Sequence, residues 1–268
     1  MKFPALGRRS WLQLACAAAF APALLATAHA QTALDDVMAK KLLVVAIPTD
    51  YPPYGFVGPD MAPQGLDVAV AQLIAAKLGV KAELVPVTSA NRIAYLQTKK
   101  ADLVISTLGK NPEREKVINF SAAYAPFFQA VFAAKSLPIK NWADLAGKSV
   151  AVTRGAMEDQ ELAKVAPATL EYKRFEDNNA TIAAFAAGQT QLLATSAAVA
   201  GNLMQRKPEL NTEYKLLLKD SPCFVGVAKG EDALLAKVND IIAAAKAAGE
   251  LEALSKKWLG RSTGELPL

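Results

Sequence analysis

Ser106 and Thr107 follow a short apolar run, Leu103 to Ile105, and Gly109 and Arg114 come soon after. The run reads as a buried strand. Asn111-Pro112-Glu113-Arg114 reads as the first turn of a helix, with Asn111 as its N-cap and Pro112 at the first helical position. In open α/β sheets, ligands bind beyond the carboxyl ends of strands. At that place the sequence offers two hydroxyls, a glycine for close backbone approach, helix N–H groups and a guanidinium. All are donors, so they suit an anion, most simply a carboxylate held by two parallel N–H groups of arginine. A strand, a polar turn and an arginine also occur where nothing binds, so the rest of the chain must decide.

Other chemistries are excluded by position. The sole histidine, His29, and one of the two cysteines, Cys16, lie in the first thirty residues. There Lys2, Arg8 and Arg9 precede the apolar stretch Trp11 to Ala26, and Ala28-His29-Ala30 forms a small-x-small site before Gln31. This is the pattern of a cleaved secretory signal peptide, residues 1–30. Arg8-Arg9 leaves both general and twin-arginine export open. Beyond residue 30 there is no histidine and only Cys223. That rules out a Ser-His-Asp or Cys-His centre, a His/Cys zinc site and an internal disulfide. No metal or cofactor is implied, and carboxylate, lysine and tyrosine chemistry stays open. The remaining chain carries 27 basic and 25 acidic residues, a net charge of +2 against +5 for the whole sequence. The high pI is thus largely a property of the leader and gives no reason to expect nucleic acid.

The elements that must position the candidate residues alternate. Leu42 to Ile47 is an aliphatic strand, and Pro48 to Gly65 reads as loop. Leu66, Ala69, Val70, Leu73, Ile74 and Leu78 recur at helical spacing up to Gly79. Ala82 to Val87 reads as a strand and Thr88 to Gln97 as a helix opened by Ser89 or Asn91. A second cycle follows: strands at 149–153, 170–175, 192–195 and 214–218, with helices from Met157, Asp177 and Ser196. Extended runs at 127–134 and 223–228 and helices at 232–247 and 251–258 complete the chain. Alternation of this kind implies parallel sheets with right-handed crossovers. Asn178 to Gln205 carries no charge, but Gly188 and Gln189-Thr190-Gln191 interrupt it, so helix, turn, strand and helix explain it better than a membrane span.

In order along the chain, Thr49-Asp50-Tyr51-Pro52-Pro53-Tyr54, Gly65-Leu66-Asp67-Val68, Asp102 to Arg114, Ile118-Asn119-Phe120-Ser121 with Tyr124, Trp142 to Lys148 and Lys256-Lys257-Trp258-Leu259-Gly260 resemble the periplasmic solute-binding proteins of ABC importers. The branch is the one that handles polar amino acids, and the likeness covers roughly residues 40 to 260. The resemblance implies an α/β, two-lobed type II periplasmic-binding-protein fold. Each lobe is a mainly parallel sheet flanked by helices, and two strands join them as a hinge. Lobe 1 is expected at about 38–126 plus 224–268 and lobe 2 at about 127–223, with crossings near Pro126–Phe128 and Pro222–Phe224. It further implies a periplasmic monomer that passes a small carboxylate-bearing solute to an inner-membrane ABC permease complex.

Carried over by position, Arg114 grips the carboxylate with help from Ser106 and Thr107. Tyr51 and Tyr54 wall the cleft, Asp50 borders it, and Arg92 aims at the ligand side chain. The sequence departs from the family at Gly109, where a Ser or Thr is usual, and at Ala156-Met157, where a Thr pair is usual. It also departs at Ser196, where an Asp normally meets the α-ammonium, and Pro48 lacks a basic side chain that some acidic-ligand binders have. With Asp50 the one acid named near two arginines, the balance favours a carboxylate whose amino group is absent, modified or displaced, such as a dicarboxylate; ordinary α-amino acids are the runner-up. Some relatives on this scaffold are dehydratases of prephenate-like acids. That activity needs a general acid, and none stands between Gly188 and Leu203, so binding without catalysis is expected. A ligand-sensing receptor domain is the third reading.

Overall fold

The computed structural model describes residues 32–266. The expected leader, 1–30, lies outside the described residues. The elements in order are α1 (Ala33–Lys40), β1 (Leu42–Ile47), β2 (Asp50–Tyr51), β3 (Gly55–Val57), β4 (Pro63–Gln64), α2 (Leu66–Leu78), β5 (Lys81–Pro86), α3 (Arg92–Gln97), β6 (Leu103–Leu108), α4 (Pro112–Glu115) and β7 (Ile118–Ala125). Then come β8 (Phe128–Ala134), a 3₁₀ turn (Trp142–Leu145), β9 (Ser149–Thr153), α5 (Met157–Val165), β10 (Glu171–Phe175), α6 (Asn178–Ala186), β11 (Leu192–Ser196) and α7 (Ala197–Arg206). After a second 3₁₀ turn (Pro208–Leu210) follow β12 (Thr212–Asp220), β13 (Cys223–Ala228), α8 (Asp232–Ala247) and α9 (Glu250–Leu259).

Two five-stranded sheets result, in the orders β5-β1-β6-β13-β7 and β10-β9-β11-β8-β12. In each, one strand runs against the other four: β13 lies antiparallel to β6 and β7, and β8 antiparallel to β11 and β12. These are the two strands that enter from the other sheet. The chain leaves the first sheet at Pro126-Phe127 and returns to it at Ser221-Pro222. A strand that arrives directly from a neighbouring sheet has no crossover helix to turn it, so the wholly parallel pattern of a βαβ chain does not extend to it.

Both faces of both sheets are covered. In the first, Leu43, Val45 and Ile105 pack against Leu66, Val70 and Ile74 of α2 and Leu234 and Val238 of α8, while Val104 and Leu108 meet Leu96 of α3 on the other face. In the second, Val131, Val150 and Leu192 pack against Leu162 of α5, and Phe132 and Leu193 against Phe185 of α6 and Leu203 of α7. This double burial is why the central strands read as unbroken aliphatic runs. Among the described residues no helix is long and apolar enough to cross a membrane; the uncharged stretch 178–205 is α6, a turn, β11 and α7.

The structure differs from the expected elements in places. The segment 48–65 holds a small antiparallel sheet, β2-β3-β4, whose strands of two or three residues are too short to show alternation. α1 and β7 were not expected. α1 is fixed by a capping box between Thr32 and Asp35, and β7 interleaves Asn119 and Ser121 among apolar residues, which hides its period. α3 begins only at Arg92, because residues 88–91 form a turn and Asn91 makes no side-chain cap.

Candidate functional site

The carboxyl ends of the two sheets face each other across a cavity of about 10 Å³, room for roughly one water. Thr107 near the end of β6, Tyr51 of β2, Ser89 in the turn before α3 and Arg92 at its start line it from the first sheet's side. Opposite them stand Thr153 of β9, Ala156, Met157 and Glu158 at the start of α5, Asn178 at the start of α6, and Ala194 and Thr195 of β11. Phe127 closes one end.

Two guanidinium groups are buried here. Arg92 is 2% exposed; its Nη1 donates to the Ser106 carbonyl and its Nε has no partner. Arg114 is 5% exposed, does not line the cavity, and donates from Nη1 to the Gly109 carbonyl (2.8 Å) and from Nη2 to the Gly155 carbonyl (3.0 Å). The partners of both are backbone carbonyls, not carboxylates. Burial lowers the pKa of Arg92, and burial together with the nearby Arg92 charge pushes Arg114 down to about 9. A buried cation without a counter-ion costs several kcal/mol, roughly, even after relaxation; Glu158 supplies one nearby negative charge against two guanidinium groups, so the pair leaves a demand for one more anion.

Thr107 has φ of +43°, a conformation that β-branched residues avoid, at about 1–3 kcal/mol. The fully buried Asp67 holds it there by accepting from the Thr107 N–H at 2.8 Å. A hydrogen bond to a charged group contributes about 1.5–3 kcal/mol, enough to offset that strain. The other Asp67 oxygen accepts from the Tyr124 hydroxyl at 2.7 Å. Burial raises the Asp67 pKa to about 6 against these two donors and Arg92.

Several contacts tie the two sides together. The Tyr51 hydroxyl lies 3.3 Å from Glu158 Oε1 and 3.1 Å from Thr195 Oγ1, and accepts from the Ser196 N–H at 3.1 Å. Asn111 Nδ2 donates to Gln160 Oε1 at 2.7 Å. Gly155 packs so closely on Ala90 that a Cβ there would lie 2.9 Å from the Ala90 Cα, and its φ is +70°. Both facts require glycine.

Of the residues singled out by sequence, Arg92, Tyr51, Thr107 and Met157 line the cavity and Arg114 stands beside it. Ser106 contributes its carbonyl, to Arg92. Tyr54 stacks behind Tyr51 at 5.9 Å and lines a separate outer groove with Trp258 and Arg261. Asp50 does not face the cavity; its carboxylate accepts from the Asn178 N–H at 2.6 Å and Nδ2 at 3.1 Å. Gly109 receives Arg114 on its carbonyl and presses on Met157. Ser196 is fully buried as the cap of α7, its Oγ accepting from the Val199 N–H at 3.2 Å.

Sequence reasoning missed Glu158. It is 4% exposed, at the second position of α5, and lines the cavity. Burial raises its pKa, opposed by its own backbone N–H, Arg92, the Tyr51 hydroxyl and Arg114. The premise that Asp50 was the one acid near the arginines therefore fails. A signal did exist: Glu158 opens the helix that follows β9, and the first turn of such a helix abuts the ligand end of the sheet. Glu158 also removes the argument that the cleft lacks an acid, so the case against catalysis rests on relatives. Among the described residues no three His, Cys, Asp or Glu side chains are grouped to hold a metal.

The chain is 29% identical over 262 residues to the L-cystine-binding protein TcyJ of Escherichia coli, covering 97% of this chain and 98% of that one. The solute receptor for L-cysteine of Neisseria gonorrhoeae superposes with a TM-score of 0.80 at 29% identity, over 86% of this chain and 95% of that one. An ancestral arginine-binding protein bound to arginine does so with a TM-score of 0.78 at 31% identity, over 82% and 99%. All three are binding proteins, not enzymes. The sequence pattern of one family matches residues 43–261, both sheets and the cavity between them included, and the chain belongs to that family: the bacterial extracellular solute-binding proteins, family 3.

Proposed function

We propose that the protein captures a small amino acid by its carboxylate between two lobes and delivers it to an ABC permease. The lobes would be residues 38–126 with 224–268, and 127–223. The observation that carries this reading is the pair of buried arginines, Arg92 and Arg114, bonded to backbone carbonyls at a cleft between two sheets. Thr107, Tyr51, Thr195 and Asn178 supply further polar groups on the walls. The relatives named above that bind cystine, cysteine and arginine support an amino acid as the solute. The family and the pattern of residues 1–30 support export to the periplasm through a cleaved leader, and a monomer suffices for the cycle.

A ligand that touches both sides binds the closed form better and shifts the population toward it. Ligand-stripped, refolded protein is to be screened by thermal shift against the standard amino acids and dicarboxylates, and any hit taken to small-angle scattering. At least one amino acid should raise the melting temperature and reduce the radius of gyration. No shift with any amino acid would overturn the reading, and a hit without a change in radius would overturn the two-lobe closure.

A further inference from the structure

We infer that Glu158 receives the ammonium group of the bound solute, the task the family resemblance gives to position 196. The inference rests on the reading that the cleft takes an amino acid. Glu161, near Arg114, is paired with Lys164 and Lys219, and three further acids close to the cleft are committed elsewhere or turned away. Asp50 accepts twice from Asn178, Asp67 accepts from Thr107 and Tyr124, and Asp159 faces Arg174 at 2.8 Å. The Ser196 hydroxyl is engaged in capping α7 and does not line the cavity.

Glu158 differs from all of these. It is the acid on the cavity wall, and its carboxylate is met by the Tyr51 hydroxyl at 3.3 Å and by its own backbone N–H, with no cation bonded to it. An ionised carboxylate accepts about four. On the same cavity, Arg92 Nε is buried without a partner. A guanidinium N–H without a partner and a carboxylate without a bonded cation, both on the walls of one cavity that widens to admit a solute, are complementary to a zwitterion. They are not complementary to an anion alone, which would meet Glu158 as a like charge. Position two of α5 also places the Glu158 charge at the positive end of the helix dipole, which favours its ionised form. The structure thus reverses the expectation of an amino-free ligand drawn from Ser196: the counter-charge has moved from the start of α7 to the start of α5.

The test uses matched pairs that differ in the α-amino group: L-cysteine with 3-mercaptopropionate, L-arginine with 5-guanidinopentanoate, and L-glutamate with glutarate. Each is titrated calorimetrically into wild type, Glu158→Gln and Glu158→Asp. Wild type should prefer the amino member of the pair it binds by tenfold or more. Glu158→Gln should abolish that preference while leaving the amino-free member as tight or tighter, and Glu158→Asp should restore part of it. A merely structural Glu158 would weaken both members alike, and that result would overturn the inference, as would an unchanged preference in Glu158→Gln. Both results leave the solute-binding reading standing. If another standard amino acid is the one that binds, its pair with the amino-free analogue takes their place; if no standard amino acid binds wild type, the amino-acid reading fails and the inference with it. Glu158→Asp keeps the charge and guards against misfolding of the glutamine variant.

Discussion

The ε-methyl of Met157 occupies the space that a side chain on Gly109 would need: a Cβ built on Gly109 lies 2.6 Å from it. Position 109 belongs to the loop after β6 and position 157 opens α5 on the opposite side of the cleft. The two pack as a pair, the missing side chain on one side making room for a long apolar one on the other.

Gly109→Ser should therefore weaken solute binding, because the closed cleft becomes overpacked by about 1–3 kcal/mol. The Met157 side chain is flexible, which places the expectation toward the lower end. Met157→Ala in the same molecule should recover most of the loss. A calorimetric double-mutant cycle measures the coupling. Additive effects would mean that the two residues do not meet in the bound state.

The sequence made the scaffold legible because buried strands and amphipathic helices carry their burial in their residue types. α8 starts at Asp232 as expected, and Asn111 caps α4 through its side chain to the Arg114 N–H at 2.9 Å. What the sequence hid depends on direction. Tyr51 and Tyr54 read alike, yet one reaches across the cleft and the other lies behind it. Asp50 was expected to border the cleft and Glu158 was not singled out, yet of the two only Glu158 lines the cavity. Ser196 was legible as a helix cap, but that it is fully buried and lies off the cavity wall was not.

Arg114 should dominate affinity. Losing one side of a buried charged pair typically costs about 3–5 kcal/mol, or two to three decades and more in the dissociation constant. Arg114→Ala also removes the bond to the Gly155 carbonyl across the cleft. Arg114→Lys should bind poorly as well, since an ammonium cannot reproduce the planar fork that reaches Gly109 and Gly155 together. Calorimetry with any amino acid found by the screen decides this; near-normal affinity of the alanine variant would place the anion elsewhere.

Tyr51→Phe isolates the ties across the cleft. Its hydroxyl meets Glu158, Thr195 and the Ser196 N–H, all on the far side. Without it the buried Ser196 N–H loses its partner, at about 1–3 kcal/mol. Affinity should fall accordingly, and the radius of gyration of the ligand-free protein should rise as closed molecules open. Affinity within twofold of wild type, with an unchanged radius, would show that closure does not depend on this hydroxyl.

Asp67 sets a pH dependence of stability. Its pKa rises from the ordinary 3.8 to about 6 in the folded protein because burial disfavours the charge. Between those values the folded state holds a proton that the unfolded state has released. The stabilisation linked to that proton is complete below pH 3.8 and is lost as pH rises through 6. The shift corresponds to about 3 kcal/mol. Asp67→Asn carries no titrating group, and its single carbonyl oxygen can serve only one of the two donors, Thr107 N–H and Tyr124 O–H. The variant should thus be less stable than wild type at pH 4. The gap should narrow by about 2–3 kcal/mol by pH 7, since only wild type loses the linked term. Glu158 and Glu252 titrate in both proteins and cancel in the difference. Urea unfolding of the two proteins at pH 4, 5, 6 and 7 reads the gap directly, and a gap independent of pH would show that Asp67 is ionised in the fold at no cost.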